Sequence, residues 1–480
     1  MVKKVSELWK HQREAIERAK NLNCFGLFFE AGTGKTRTVI DILRQKYANN
    51  GKLLPTLILC PQVVMANWRN EILKYSKIQD SDIVVLKGSG HDRYDAIMEA
   101  VGGEKRAKIF IANYETLLME KVFKAFMWYG FKCIVADESH RIKNHSSKRT
   151  KALIALSREA TYKYILSGTP VLQSPTDLFS QFLFLDGGRT FAPCGENFYA
   201  FQRQFFYNKN AGAPAHVTWP DWRIRPGAVE EISAKIGLIT MHVRKSECLD
   251  LPPMVRKTIQ VPLSKEQTKH YEMMKKNFIT FLGDKACTAQ LAITKGLRLQ
   301  QIVSGFIQLE GDDQVVQLKE NPRIDALEEI LEDLVVEGKK KVIIWACWRE
   351  NYKQIKDLLH KMEVNYVEAH GEVSGKTRQE AIDNFCQNEN IKVFLGNQGA
   401  AGIGINLVQA SYSIYYSRNF SLEHDIQSEA RNYRGGSEMH ESVTRIDLVA
   451  PQTIDACILQ ALANKQEIGD KLLKDMAREL

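Results

Sequence analysis

Glu30-Ala31-Gly32-Thr33-Gly34-Lys35-Thr36 is the stretch on which the fold can be read. Before it runs Cys24-Phe25-Gly26-Leu27-Phe28-Phe29, an apolar segment too short for a helix; after it, Val39, Ile42 and Leu43 recur at helical spacing. The order is strand, glycine loop, helix. Two glycines allow backbone N–H groups to turn inward on an anion, and the helix that follows aims the positive end of its dipole at the same point. Gly32, Thr33 and Gly34 form the cradle, Lys35 has the reach for the β- and γ-phosphates, and the Thr36 hydroxyl suits Mg2+. The strict consensus has a glycine where Phe29 stands, so this is a looser form of the loop.

Further apolar runs flank this unit, and several end in a polar motif. Pro55 to Pro61 is a buried strand closed by proline. Lys108 to Ala112 runs into Asn113-Tyr114-Glu115-Thr116, Cys133 to Ala136 into Asp137-Glu138-Ser139-His140, and Tyr162 to Leu166 into Ser167-Gly168-Thr169-Pro170. Apolar strands alternating with helices predict a parallel sheet covered on both faces, with ligands bound beyond the strand C-termini. Upstream, residues 1–22 read as a helix containing Leu8 to Ile16, and Gln12 carries both an amide donor and an acceptor for an adenine edge.

The alternation stops near Leu185. Aromatic and basic residues crowd Phe198 to Tyr207, Trp219 and Trp222 follow, and Lys265–Phe281 and Thr288–Val303 read as helices. It resumes at Lys341-Val342-Ile343-Ile344-Trp345 and continues to Val443–Ala450. The expected class is α/β: a first parallel-sheet lobe over 1–185, a helical insertion and linker over 186–320, and a second lobe over 321–480. A chain of 480 residues is too long for one core.

Bulk properties exclude more than they select. Apolar content of 44% and charged content of 26% fit an ordinary globular chain, and no apolar run is long enough to cross a bilayer. Nine cysteines stand singly, with no C-x-x-C pair, and read as buried thiols in a reducing compartment. A net charge of +9 permits a polyanionic partner without demanding one.

Asp137 and Glu138 close a buried strand, where adjacent carboxylates are costly unless they act. Asp137 can hold Mg2+ and Glu138 can orient or deprotonate a water, which with Lys35 and Thr36 makes a hydrolytic set. A positive group for the leaving phosphate is absent from this lobe's motifs. In the second lobe Arg431 and Arg434 stand three apart and would share a face on a helix; if that lobe closes over the nucleotide, one is an arginine finger. The small residues from Gly396 to Leu407, including Gly402 and Gly404, let backbone approach a phosphate or a nucleic-acid strand.

In this order, Gln12, the glycine loop, Asp137-Glu138-Ser139-His140, Ser167-Gly168-Thr169-Pro170, Gly402 to Leu407, and Gln427 with Arg431 and Arg434 resemble superfamily-two helicase-like motors. Leu59-Cys60-Pro61, Asn67-Trp68, Asn113 to Thr116, Arg141-Ile142-Lys143-Asn144 and Arg445 to Val449 resemble the Swi/Snf branch, in particular its minimal bacterial or viral members. Ser139 stands where that family more often has Ala, and Gly435 and Ser437 where it has Ile and Gln.

The resemblance implies two RecA-like lobes, with ATP and Mg2+ as cofactors and double-stranded DNA, including branched DNA, as partner. The motor would be a monomer with no membrane role, cytoplasmic in a bacterium or an infected cell and nuclear in a eukaryote. It also implies roles: Gln12, Gln427 and Gly402 at the nucleotide, Lys35 at its phosphates, Thr36 and Asp137 at the metal, Glu138 at the water, and Arg431 and Arg434 toward the γ-phosphate. His140, Ser167 and Thr169 would couple hydrolysis to lobe movement, and Asn113, Tyr114, Gly404 and Asn406 would lie near DNA. ATP-driven translocation on duplex DNA is the expected function. The alternatives are a strand-separating or annealing helicase, with Gly311-Asp312-Asp313 as a candidate wedge, and a scaffold that binds DNA without using hydrolysis.

Overall fold

The computed structural model describes residues 7–102, 109–212, 220–248, 250–284, 289–308, 315–371, 375–399 and 405–474. Among the described residues, seventeen strands form in chain order: β1 (Cys24–Phe29), β2 (Thr56–Leu59), β3 (Ile83–Val85), β4 (Ile109–Ala112), β5 (Cys133–Asp137), β6 (Tyr162–Leu166), β7 (Phe206–Asn208), β8 (Trp222–Ile224), β9 (Thr240–Val243), β10 (Met254–Gln260), β11 (Phe306–Gln308), β12 (Val315–Gln317), β13 (Val342–Trp345), β14 (Tyr366–Ala369), β15 (Val393–Gly396), β16 (Tyr412–Tyr415) and β17 (Val443–Val449).

Two parallel sheets hold most of them. The first has the order β3-β4-β2-β5-β6-β1-β9 and the second β10-β17-β16-β13-β15-β14. Both are covered on two faces, which explains the unbroken apolar runs. In β5, Ile134 and Ala136 join one core layer while Cys133 and Val135 join the other. In β13, Val342 and Ile344 face one layer, Ile343 and Trp345 the opposite one. The α/β architecture with two parallel-sheet lobes is as expected.

The chain divides into two units, one of residues up to 249 plus those from 465 onward, the other of residues 250–464. The stretch 186–320 holds the expected helices, at Lys265–Asp284 and Ala289–Val303, but also strands. β9 pairs with β1 and completes the first sheet; β10 pairs with β17 and forms an edge of the second. Neither carries a strong local signal. β9 is four residues long, and β10 is a largely exposed edge bearing Arg256 and Lys257. A short antiparallel hairpin, β7–β8, also stands in this stretch. Among the described residues the eight cysteines are all free, and no helix is long and apolar enough to cross a membrane.

Candidate functional site

Parallel pairing sets the first-lobe site. β6 lies between β5 and β1, with Leu166 opposite both Asp137 and Leu27. The polar motifs that follow these three strands therefore emerge side by side, about 5 Å apart per strand.

The glycine loop turns through left-handed Gly32 and Gly34, at φ 89° and 83°. Gly34 is the N-cap of the helix Lys35–Asn49, so the free N–H groups of its first turn face the loop. The loop is stapled from inside and from upstream. Thr33 Oγ1 donates to the Glu30 carbonyl at 2.7 Å, and His11 Nε2 lies 2.9 Å from the Thr33 carbonyl. Lys35 Nζ donates to the Phe29 carbonyl at 2.8 Å, which holds the ammonium across the loop. Lys35 and Thr36 are both half-buried.

Gln12 lies on this loop. Its amide donates to the Gly34 carbonyl at 3.3 Å and accepts from Trp9 N–H at 2.9 Å. A Cβ on Gly34 would fall 2.3 Å from Gln12 Nε2, so glycine is required there for packing as well as for φ.

Asp137 is 9% exposed. Its carboxylate accepts from Trp68 Nε1 at 2.8 Å and from Glu138 N–H at 3.0 Å. Burial and then the Glu138 charge push its pKa up to about 6, against the opposing pull of Trp68 and Lys35. Glu138 adopts a left-handed backbone, φ 51°, which a non-glycine residue rarely takes. Its carboxylate lies 3.4 Å from His140 Nδ1, and the same nitrogen lies 3.3 Å from Ser167 Oγ. Ser167 Oγ in turn accepts from Thr169 N–H at 3.0 Å. The two motifs are thus joined through one buried imidazole. Gly168 seats the second against the glycine loop: a Cβ there would lie 3.3 Å from the Phe29 carbonyl.

Oxygen donors from Thr36 and Asp137 beside a cradle of backbone N–H groups fit Mg2+ and a nucleotide phosphate. Sequence reasoning assigned no site role to Trp68, the partner of Asp137, or to Gln181. The Gln181 amide accepts from Ser139 Oγ at 2.6 Å and donates to the Pro170 carbonyl at 2.8 Å, tying the same two motifs from behind.

Asn113 and Tyr114, the pair expected near DNA, both have buried side chains. Tyr114 is fully buried and donates to the Asp137 carbonyl at 2.7 Å. Asn113 is 5% exposed, and its side-chain oxygen accepts from Arg93 and from Thr116, each at 2.6 Å. Tyr114 thus braces the carboxylate strand, while Asn113 is tied to the helix Gly90–Gly102 through Arg93.

In the second lobe the helix Leu422–Glu429 ends before either arginine, so Arg431 and Arg434 do not share a helical face. They converge by another route. Arg431 Nη1 and Arg434 Nη1 donate to the same Ile405 carbonyl, at 3.2 and 3.3 Å, and Arg431 Nε donates to the Gln427 carbonyl at 2.7 Å. Leu407 N–H donates to the Arg431 carbonyl at 3.0 Å, so the turn and the 405–407 segment are stitched together. Burial lowers the Arg434 pKa. Gln427 is half-buried with Nε2 3.5 Å from Glu423, and Asn406 is exposed. Gly402, Gly404 and the Gly311-Asp312-Asp313 stretch lie outside the described residues.

The helix that leads into this turn is gripped from β17. Arg445 donates to Asp425 at 2.8 and 3.0 Å and to Glu429 at 3.0 Å, pairs with Asp447 at 3.1 Å, and lies 3.8 Å over the Tyr415 ring.

Comparison with known proteins adds to this geometry. The SNF2-related domain family matches residues 11–305, and the helicase conserved C-terminal domain family matches residues 323–436. Protein p41 of Acyrthosiphon pisum secondary endosymbiont phage 1 is 25% identical over 460 residues, 93% of this chain and 94% of that protein. An uncharacterized ATP-dependent helicase of Mycoplasma genitalium is 26% identical over 475 residues, 98% of this chain and 42% of the relative. The Danio rerio chromodomain-helicase-DNA-binding protein 1-like is 24% identical over 460 residues, 93% and 41% respectively. The chain therefore spans less than half the length of the last two. Among solved structures, the Sulfolobus solfataricus SWI2/SNF2 ATPase core in complex with dsDNA aligns over 98% of this chain and 93% of its own, at 24% identity and a TM-score of 0.44.

Proposed function

This chain belongs to the SNF2-related domain family, and from that premise we propose that it is a DNA-dependent ATPase whose hydrolysis drives movement along double-stranded DNA. The observation that carries the reading is the junction at the strand ends, where His140 faces both Glu138, the residue suited to act on water, and Ser167, which follows the neighbouring strand. A group that acts on water is thereby tied to a second motif that packs on the phosphate loop.

In this reading Lys35 and the N–H groups of Gly32 to Lys35 bind the phosphates, while Thr36 and Asp137 hold Mg2+, which would supply charge neutralisation at the transferred phosphoryl group. Glu138 orients the attacking water and accepts its proton. Arg431 and Arg434 take the role of neutralising charge in the transition state. Gln12, by gripping Gly34, fixes the loop that faces the base and phosphates. Asn406, exposed beside the arginine turn, is assigned to the DNA backbone. Contacts to a phosphate backbone make binding sequence-tolerant and salt-sensitive.

The test is ATP turnover with and without blunt duplex DNA. Stimulation by duplex, abolished in Lys35→Ala and Glu138→Gln variants that still bind DNA, is the expected result. Turnover indifferent to DNA would sink the reading, and unchanged turnover in both variants would remove the site from it.

A further inference from the structure

The β7–β8 hairpin takes no part in the site described above, yet its surface is unusual. In its register Tyr207 stands opposite Arg223, and Asn208 opposite Trp222. Side chains alternate along a strand, so Tyr207 with Arg223 and Trp222 with Asn208 occupy opposite faces. Phe206 and Ile224, on the Trp222 face, anchor the base of the hairpin in the first-lobe core. The rings farther out are not covered: Tyr207 is 43% exposed and Trp222 37%. Single exposed aromatics are common, but two on opposite faces of one narrow ribbon are a different matter.

The ribbon is also held firmly. Arg225 donates to the Phe206 carbonyl at 3.1 Å and the Arg203 carbonyl at 3.3 Å, clamping β8 to the end of the helix Phe198–Phe205. Asn208 Oδ1 accepts from the Asp221 N–H at 2.9 Å and Lys209 N–H donates to the Asp221 carbonyl at 2.8 Å, which closes the strands where they leave the hairpin. Its charge is one-sided, with Arg203, Lys209, Arg223 and Arg225 against Asp221 alone in 198–212 and 220–225. Asp221 holds Arg223 at two points, Nε at 2.9 Å and Nη2 at 3.0 Å, but the side chain is 59% exposed and the guanidinium keeps further N–H donors for a second anion.

Flat rings interleaved with arginine fit a partner that offers both phosphates and open π-faces. Paired bases keep their faces inside the stack; unpaired ones present them. We propose that this hairpin binds the unpaired bases of a nucleic-acid strand at the junction between duplex and single strand, so that tailed or forked DNA is the preferred substrate. This rests on the reading of the chain as a DNA-dependent ATPase and narrows its substrate. An acidic peptide would use the arginines but has little need of the rings.

The test compares the full chain with Tyr207→Ala/Trp222→Ala on a blunt duplex, the same duplex with a single-stranded tail, and the tail alone, by fluorescence anisotropy and by ATP turnover. Wild type is expected to bind the tailed duplex about ten-fold more tightly than the blunt one, the effect of one base stack. The double variant should lose that preference while keeping its blunt-duplex turnover, which shows that it is folded. Tyr207→Phe/Trp222→Phe should restore the preference. An equal affinity of wild type for blunt and tailed duplex would overturn the proposal, as would a preference that survives in the alanine variant, or competition by polyglutamate as strong as by the tail. Absence of stimulation by any DNA would instead strike at the ATPase reading itself.

Discussion

The two sheets bury strand-borne basic residues in opposite ways. On β9 of the first sheet, His242 is half-buried, and desolvation, with Arg244 adding repulsion, lowers its pKa to about 4. It is kept neutral. On β17 of the second, Arg445 is 3% exposed and cannot shed its charge, so Asp425, Glu429 and Asp447 surround it. Arg418 joins through Asp447, at 2.6 Å. The difference follows what each lobe must hold. Residues of the first site stand directly at strand ends, where sheet register positions them. The arginine turn of the second lies beyond a helix, and that helix is fixed to the sheet by ions.

Four measurements break or sharpen this contrast. Arg445→Met removes the cation that Asp425 pairs with, while Glu429 keeps Arg256 and Asp447 keeps Arg418; it should destabilise the second lobe by about 3–5 kcal/mol, read as a shift in denaturant midpoint. ATP turnover should fall with it, because the helix entering the Arg431–Arg434 turn is released. A loss below about 1 kcal/mol, in the range of an exposed pair, would show that packing alone fixes the helix.

The neutral histidine gives the opposite signature. Its folded pKa, about 4, lies below the unfolded 6.5, so the unfolded chain takes up the proton first. The stability tied to neutrality is complete above pH 6.5 and drains away as pH falls towards 4, roughly 3 kcal/mol in all at 1.36 kcal/mol per unit. His242→Gln should flatten this part of the melting-temperature profile of the first lobe. A profile that keeps its slope would point to another group.

Trp68→Phe tests the first site more gently. Losing the indole donor to Asp137 should raise the Mg2+ concentration needed for half-maximal ATP turnover about 10-fold or more, as loss of such supporting hydrogen bonds does elsewhere. Unchanged metal dependence would mean that Asp137 is held without it. The smallest pair of changes concerns two N-caps. Ser147 accepts from Thr150 N–H and Ser421 from His424 N–H, each at 3.2 Å. Alanine at either should cost about 1 kcal/mol of stability. Only Ser421→Ala should also lower turnover, since its helix leads into the arginine turn, and equal effects on turnover would erase the distinction.

How far the chain could be read before folding depended on whether a signal was local. The glycine loop and the two carboxylates were legible because strand, turn and helix lie within a dozen residues. Asn113 and Tyr114 were legible as a motif at the end of β4, but their burial was not, since the partners that hold them, Arg93 for Asn113 and Asp137 for Tyr114, lie 20 and 23 residues away. The arginine spacing looked helical, yet Gly435 and Gly436, the latter at φ 106°, follow closely and the helix has already ended at Glu429. Ile405, the residue that brings the arginines together, lies 26 and 29 residues away. The hairpin was invisible for a related reason: its strands are only three residues long, and Asn208 and Trp222, which pair in it, lie far apart in sequence.

The hydrogen bond from Trp68 to Asp137 has one more consequence, for light. An indole that is 1% exposed and donates to a carboxylate has its emission set by the charge on that carboxylate. A cation arriving at Asp137 would alter the field across the ring, so the protein carries a chromophore at the point where its metal is expected to bind. Subtracting the spectrum of Trp68→Phe from that of the wild type isolates its signal from the six other tryptophans, and the nucleotide cycle could then be followed without any label.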